Sequence, residues 1–240
     1  MDDQRRRPAP GRPRGRPPRL TRQVIADAAL AVGFGNLTLT TVAERLSASH
    51  SALYRHVADR EDLVAAAVDR VIQLAEWPEP GDDWRAYLSA QGWTVWRLLE
   101  AHPGLDRELL ALTRIPRGLM ARFGAAVQGL VGHGFTLEAA FLAADTVYDL
   151  AVSQSALAGQ LDAPAGESTV RADTAGDLAD VAGPGIAPLL REALADPSHV
   201  WFTRKLELVL DGVAVRLAPP ARHDGAGGPE GPGGGGGPGG

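Results

Sequence analysis

Four residues between positions 50 and 55 have the types and spacing needed to read the edges of nucleic-acid bases. His50, Ser51, Ala52 and Arg55 would share one exposed face of a helix. An arginine can donate two hydrogen bonds to guanine, a contact worth about 1–3 kcal/mol of discrimination between bases. Serine and histidine are less selective readers. The chemistry that this cluster offers is therefore base recognition in the major groove of DNA, and it requires a helix that presents these residues.

Two short amphipathic helices within residues 37–63 would position that cluster. In the first, Val42, Ala43 and Leu46 recur at helical spacing. In the second, Leu53 and Val57 lie one turn apart, opposite the exposed cluster. Each helix then has one buried edge. Such a pair is typical of the helix-turn-helix, which presents its second helix to DNA.

Capping residues mark where these helices begin. Thr38 or Thr40 can cap the first short helix, and Ser49 stands where its hydroxyl could accept from the free amides of the second. Upstream, a longer helix is predicted to begin near Thr21 and to end at Gly33. Its apolar stripe consists of Ile25, Ala28, Ala29 and Val32. The sequence therefore predicts a three-helix head.

The sequences LYRHV at residues 53–57 and DREDL at 59–63 resemble the tetracycline-repressor (TetR) family of one-component bacterial transcription regulators. The resemblance covers roughly residues 20–75 and includes Ala43 at the helix crossing and a basic residue opening the fourth helix. Two positions depart from the family pattern, since Ser47 stands where a Gly is usual and Val57 where Phe is frequent. A left-handed conformation at Ser47 would cost about 1 kcal/mol.

The resemblance also implies roles for residues beside the reading face. Tyr54 and His56 would hold phosphates next to the groove, Thr38 and Thr40 would do so from the preceding helix, and Arg60 would contact the strand from the fourth helix. Phosphate contacts position a protein without specifying sequence. The alternative interpretation is a helical hairpin in an unrelated core, with Tyr54 packed and His56 capping a carbonyl. Any single exposed Arg or His could also be merely solvated.

The N-terminal segment 1–22 is strongly basic, with eight arginines against two aspartates. The rest of the chain has 16 Lys and Arg against 27 Asp and Glu, so the net charge of -5 consists of a +6 segment on a -11 body. Pro and Gly predict a flexible arm over residues 1–19. The arm could lie in the minor groove or along phosphates, or be a solvated tail. No apolar segment follows the arginines at residues 5–7, so export is not expected.

Composition limits the class of protein further. The 240 residues are 45% hydrophobic and contain no Cys. No apolar run approaches the roughly 18 residues of a membrane span. We therefore expect a soluble, cytoplasmic protein without disulfides, thiolate metal sites or membrane contact. The tail at residues 219–240 is rich in Gly and Pro without periodicity and is predicted to be disordered.

Between arm and tail the pattern is helical throughout, so the predicted fold class is all-α. A three-helix helix-turn-helix head would occupy residues 20–63 and a larger helical ligand-binding and dimerisation domain residues 64–218. Segment 161–185 mixes Pro, Gly, Asp and Thr and is predicted to be a loop with at most a short helix. Helices beyond the head are predicted at 60–76, 82–101, 103–112, 116–132, 136–160, 186–195 and 197–217.

Two late helices carry more apolar surface than one side of a small body requires. The resemblance implies that helices at these positions from two subunits form a four-helix interface. A two-fold homodimer would place its reading helices about 34–36 Å apart, which implies a palindromic operator in double-stranded DNA. Packing within one subunit is the alternative. The stripes are Leu137, Ala140, Phe141, Ala144, Tyr148, Ala151 and Ser155 in one helix, and Trp201, Phe202, Leu206, Val209, Leu210 and Val213 in the other.

A regulator of this architecture needs a cavity for a small-molecule effector in the middle of its helical body. Asp145 and Asp149 lie one turn apart and could suggest a metal or a cationic ligand, but that helix has no His at matching spacing. A solvated acidic edge is favoured, so no metal and no cofactor is expected. Aromatics at such spacing are also often plain core. The candidate lining residues are Tyr87, Trp93, Trp96, His102, Phe123, Asp145, Tyr148, Asp149 and Gln154.

Two other classes of protein fit less of the sequence. A helical hydrolase would need a site assembled from scattered His, Asp and Ser residues. The chain has no nucleophile elbow, phosphate-cradling loop or dinucleotide fingerprint, so no enzyme is expected. An architectural DNA-binding protein would share the head and the arm but lack a closed cavity. We therefore expect a sequence-specific regulator, a repressor released from its operator when a ligand pivots the fourth helix.

Overall fold

Helix boundaries fall at residues that cap or interrupt a helix. The computed structural model describes residues 20–166 and 168–219, and this part of the chain contains eleven α-helices and one two-stranded hairpin. The predicted arm, and the predicted tail beyond its first residue, lie outside these residues. The fold is all-α, as predicted. The helices are α1 (Arg22–Val32), α2 (Leu39–Leu46), α3 (His50–Leu53), α4 (Arg60–Leu74), α5 (Trp84–Ala101), α6 (Leu105–Ala111), α7 (Arg117–Gly132), α8 (Leu137–Leu161), α9 (Val170–Val181), α10 (Gly183–Ala195) and α11 (Ser198–Arg216).

The first three helices form the predicted head. The Thr21 hydroxyl accepts from the amide of Val24 at 3.2 Å and caps α1. Gly33 ends that helix with a φ of 84°, a conformation that residues with a Cβ rarely adopt. A single 3-10 turn, Phe34–Asn36, then leads towards α2. Ile25, Val42 and Leu53 are completely buried where the three helices meet.

Helix α4 joins the head to the rest of the molecule. Arg22 of α1 donates to both carboxylate oxygens of Asp62, and Arg70 of α4 pairs with Asp27 of α1. The predicted division between residues 63 and 64 therefore falls inside one continuous helix. The buried face of that helix consists of Leu63, Val64, Ala66, Ala67, Val68 and Val71.

Helices α5 and α8 approach each other closely at the centre of the body. A Cβ at Gly92 would lie 2.8 Å from the Val147 side chain, so the larger side chain of any other residue would force the helices apart. The small residues of α8 serve this approach. Ala140, Ala144 and Ala151 are completely buried within one chain. No described helix is long and apolar enough to cross a membrane.

The stripes predicted to form the dimer interface face mostly into their own subunit. Besides the α8 alanines, four of the six predicted α11 residues are buried, with Phe202 stacked on Trp96 at 4.7 Å between ring centroids. Leu137 and Phe141 remain exposed. Packing within one subunit is thus the correct interpretation for most of these residues, because they pack against α5 of the same chain. The buried α11 residues are Phe202, Leu206, Leu210 and Val213.

The predicted loop at residues 161–185 is wrong. A short antiparallel hairpin, β1 (Pro164–Ala165) with β2 (Ser168–Thr169), follows α8, and the twelve-residue α9 and the start of α10 fill the remainder. Arg171, in the first turn of α9, connects this segment to its neighbours. Its guanidinium donates to Asp162 at 2.7 Å and to Ser198 of α11 at 2.7 Å. These contacts stabilise a segment whose own sequence favours a loop.

Candidate DNA interface and ligand cavity

The turn between α2 and α3 is held by side-chain caps. The Thr38 hydroxyl accepts from the amide of Thr41 at 3.0 Å, and the Thr38 amide donates back to the Thr41 hydroxyl at 3.1 Å. Of the two threonines proposed as caps, Thr38 is the one used. The Ser49 hydroxyl accepts from the Ala52 amide at 3.2 Å and caps α3, as predicted.

Ser47 ends α2 in the left-handed conformation whose cost was considered above, with φ 48° and ψ 40°. A non-glycine residue in this region costs about 1–2 kcal/mol. Two hydrogen bonds offset part of that cost, because the Ser47 amide donates to Glu44 and the Ala48 amide donates to Ala43 at 2.9 Å. The tight turn therefore forms with serine at the position where glycine is usual.

Helix α3 turns its reading residues outward because its apolar residues are anchored. Leu53 and Val57 are buried, while His50, Ser51 and Arg55 are exposed. The regular helix stops at Leu53, but the path continues as helical turns, since the amide of Val57 donates to the Leu53 carbonyl at 3.0 Å. The predicted inward and outward faces are thus the ones observed. Ala52 is half-buried between them.

The side chains assigned to phosphate contact lie around this face. Thr40 and Tyr54 are exposed, and 53% of the Tyr54 surface is accessible to solvent. His56 is half-buried, and its carbonyl accepts from Arg22 of α1 at 3.0 Å. Arg60 differs from the others. Its guanidinium pairs with both carboxylate oxygens of Glu108 and also donates to the Leu37 carbonyl at 3.3 Å.

A cavity of about 380 Å³ lies in the body and is lined by residues of helices α4 to α8. Its walls are mainly aliphatic and aromatic, with Trp77 and Phe123 among the largest lining side chains. The polar lining groups are Asp145, Tyr148, Asp149 and Ser153. A cavity of this size and composition suits a small apolar molecule with a few hydrogen-bonding groups.

A buried hydrogen bond connects the cavity wall to the core. The Tyr148 hydroxyl donates to Gln91 Oε1 at 2.9 Å, and the Gln91 amide donates to the Pro78 carbonyl at 3.2 Å. Burial raises the pKa of Tyr148 to about 12, so the hydroxyl keeps its proton at neutral pH. Burial and the neighbouring Asp145 raise the pKa of Asp149. In the part of the chain that the structure describes, no group of three His, Asp or Glu side chains could hold a metal ion.

Several known proteins are similar to this chain over most of its length. The tetracycline repressor protein class A from transposon 1721 of Escherichia coli is 29% identical over 194 residues, covering 77% of this chain and 84% of that repressor. ActR, a TetR family protein of Streptomyces coelicolor solved with actinorhodin, has a TM-score of 0.71 at 22% identity, over 83% of this chain and 98% of ActR. TetR from Acinetobacter baumannii has a TM-score of 0.61 at 21% identity, over 84% of this chain and 100% of that structure. No protein-family model matches the chain.

The chain thus has the fold of TetR family proteins and is similar in sequence to a tetracycline repressor over most of its length. Its three-helix head has the helix-turn-helix arrangement of that fold. The resemblance noted at residues 20–75 is thereby confirmed, together with the all-α fold.

Half of the eight main cavity candidates line the cavity, and half do not. Phe123, Asp145, Tyr148 and Asp149 line it. The other four candidates are core or junction residues. Trp93 and Trp96 pack against Phe202 of α11, His102 meets the edge of Phe34 in the head, and Tyr87 stacks near His133 at 6.0 Å between ring centroids. Gln154 lies elsewhere and accepts from Lys205 at 2.7 Å.

The other four candidates lie away from the apolar cavity because α5 packs on several neighbours at once. Its aromatic residues point towards α7, α8 and α11, and helical spacing alone does not say which neighbour encloses the cavity. Burial lowers the pKa of His102, as expected for an imidazole packed between elements rather than one exposed to solvent.

The sequence analysis missed the contacts that tie the cavity wall to the head. One oxygen of Glu61, in the first turn of α4, accepts from the Thr113 amide at 2.8 Å, the Thr113 hydroxyl at 2.7 Å and the Arg114 amide at 3.0 Å. These hydrogen bonds lower the pKa of Glu61. Asp69 of α4 accepts from the Gly118 amide at 2.8 Å. We define the α6–α7 bridge as residues 105–118 and their contacts with α4.

Proposed function

We propose that this chain is a repressor that binds a palindromic operator and leaves it when a small molecule fills the apolar cavity. One observation carries the proposal: the α6–α7 bridge forms part of the cavity wall and also grips the first turn of α4. Leu105, Leu109 and Leu112 line the cavity from this segment. Glu108, on the same helix, pairs with Arg60 at the start of α4.

DNA recognition is assigned to the exposed face of α3. Arg55 is exposed on this face, where its guanidinium can reach a guanine. His50 and Ser51 complete the reading face, although the Ser51 hydroxyl also lies 3.0 Å from that of Ser49. Tyr54 and His56 are assigned to phosphates, with Thr38 and Thr40 approaching from α2. Such a protein acts where the chromosome is, in the bacterial cytoplasm.

Arg60 has two competing partners in this proposal. A phosphate contact from the start of α4 would use the same guanidinium edge that Glu108 occupies in the structure. Movement of the α6–α7 bridge therefore changes both the position of α4 and the partner of Arg60. A ligand can shift this balance only if it binds the two arrangements with different affinity.

Dimerisation is assigned to the outer faces of α8 and α11 rather than to the buried stripes. Leu208 and Val215 of α11 are 73% and 86% exposed, and an added Cβ at Gly212 between them would meet nothing within 4 Å. Leu142 and Leu157 of α8 are also exposed. Apolar residues so strongly exposed on neighbouring helices suit a two-fold interface with a second copy of the chain.

The first test is selection of bound duplexes from a random DNA pool by the purified full-length protein at physiological salt. A palindrome with half-sites about one helical turn apart is expected. The Arg55→Ala variant is the matched comparison and should lose preference at one symmetric position. If no sequence is enriched, the proposed operator recognition fails and an architectural role on DNA replaces it.

A second test concerns the α6–α7 bridge. Glu61→Ala removes the acceptor for three hydrogen bonds while leaving the reading face and Arg60 unchanged. We expect operator affinity to fall at least threefold without a change in sequence preference, as measured by fluorescence anisotropy with the selected duplex. Glu138→Ala, at an exposed position in the first turn of α8, is the control. Equal affinities for the two variants would contradict the role of the bridge.

A further inference from the structure

A second cavity, of about 500 Å³, lies between the α4–α5 connection, α5 and α7. Unlike the apolar cavity it is lined by several groups that donate hydrogen bonds. Tyr87 of α5 lines it, as do Arg122 and Gln128 of α7. His133, the residue directly after α7, lines it too. Glu79, from the connection, is exposed and is the one carboxylate in the lining. We call this space the polar cavity.

Two nitrogen atoms at the polar cavity have no partner among the described residues. Arg122 Nε and His133 Nε2 are both buried, and neither makes a hydrogen bond there. A buried polar group without a partner costs about 1–3 kcal/mol. Both nitrogens belong to residues that line the polar cavity, so an acceptor that reached them from this space would remove that cost.

The edge of the Arg122 guanidinium lies near the hydroxyls of Tyr87 and Tyr148, and its Nε makes no hydrogen bond among the described residues. The guanidinium carbon lies 4.6 Å from the centroid of the Trp77 ring, so the face of the group stacks on an aromatic surface. The N–H bonds lie in the guanidinium plane and point away from that contact. No carboxylate of the described chain, Glu79 included, lies within ion-pair distance of Arg122. Its charge is therefore not neutralised by a described carboxylate.

Packing holds the other wall in place. A Cβ at Gly129 would overlap the hydroxyl of Tyr87, so only glycine allows Tyr87 to occupy this position. The Tyr87 ring in turn lies beside the His133 ring, tilted by 38°. Burial raises the pKa of Tyr87, which keeps its hydroxyl protonated and able to donate.

We propose that the polar cavity binds a small molecule through a carboxylate or phosphate group, with Arg122 and His133 as the anchoring residues. The planar guanidinium edge matches two oxygens of such a group, and His133 Nε2 supplies a further donor. The volume leaves room for a substituent beyond the anionic group. The site goes beyond the proposed repressor function and does not depend on DNA binding by the head.

The polar cavity shares structure with the apolar one. Trp77 lines the apolar cavity on one side and carries Arg122 on the other. The Arg122 charge also opposes the upward shift in the pKa of Tyr148, which lines the apolar cavity. Because Trp77 is shared in this way, occupants of the two cavities are expected to affect each other's affinity.

The test is isothermal titration calorimetry on the full-length protein at pH 7 and fixed ionic strength in chloride. Inorganic phosphate and benzoate are the two probes, and binding of either one identifies the preferred anionic group. We expect one saturable site per chain for at least one probe. Arg122→Leu should raise its Kd at least tenfold, and His133→Gln at least threefold.

Arg117→Gln is the matched control, because Arg117 is an exposed arginine of α7 that lines neither cavity. It should leave the Kd unchanged, whereas anion binding to the basic N-terminal segment would persist in every variant. Arg122→Lys retains the charge but not the paired donors, and it replaces Arg122→Leu if circular dichroism shows that variant to be unfolded. Absence of saturable binding for both probes, or a Kd unaffected by either Arg122 variant, would overturn the proposal.

Discussion

Replacing Tyr148 with Phe tests whether the buried hydrogen bond at the cavity wall stabilises the α5–α8 pair. The Tyr148 hydroxyl donates to Gln91 Oε1 over 2.9 Å, and Gln91 is completely buried. Phe keeps the ring but leaves that oxygen without its donor, in a place that water does not reach. We expect the free energy of unfolding to fall by about 1–3 kcal/mol. Urea denaturation at one fixed protein concentration should show a lower midpoint with an unchanged m-value.

A double-mutant cycle measures the coupling between Tyr148 and Gln91 and can contradict this prediction. Gln91→Leu leaves the Tyr148 hydroxyl and the Pro78 carbonyl without partners and should cost a similar amount. The double variant should lose less than the sum of the two, by about 0.5–3 kcal/mol. Strict additivity would show that the two side chains do not interact. Thr146→Val, which removes an exposed hydroxyl bonded to its own helix backbone on α8, is the control and should change stability by less than about 0.5 kcal/mol.

Three further outcomes are expected. Arg55→Ala should cost about 1–3 kcal/mol of discrimination at one symmetric base pair, and an unchanged preference in competition binding would remove Arg55 from the reading face. Leu208→Glu should convert the dimer to a monomer in analytical ultracentrifugation, and an intact dimer would place the interface elsewhere. The hydrogen bond from Arg22 lowers the pKa of Asp62, so its contribution is present above the unfolded pKa and lost as pH falls through the folded one. Because Arg22 is 46% exposed, we expect only about 0.5–1 kcal/mol, seen as a shallower loss of stability below pH 4 for Asp62→Asn than for the natural chain.

The head shows how much local sequence can determine. Leu53 and Val57 are apolar at helical spacing, and burying them leaves Arg55 on the outer face whatever else the chain does. Caps at Thr21, Thr38 and Ser49 satisfy amides within three residues, so their positions could be read directly from the chain. The left-handed conformation of Ser47 was considered only because the resemblance places a Gly at that position.

The body shows where local reasoning stops. The α8 alanines were assigned to a dimer interface, although α5 and α11 bury most of them within one chain. Periodicity identifies an apolar face but not the helix that covers it. Residues 170–181 form a helix that the sequence did not predict, and Arg171 at its start binds Asp162 and Ser198, the latter 27 positions away.

The sequence alone thus determined the helix-turn-helix, its reading face and the all-α class, because these depend on spacing and caps within a few residues of each other. Only the tertiary structure decided which side chains line a cavity and how that cavity is tied to the DNA-binding head. Glu61 meets Thr113 and Arg60 meets Glu108 across about 50 residues of chain. Such pairs produce no periodic pattern in the sequence. Their residues meet only because the burial of other residues brings the helices together.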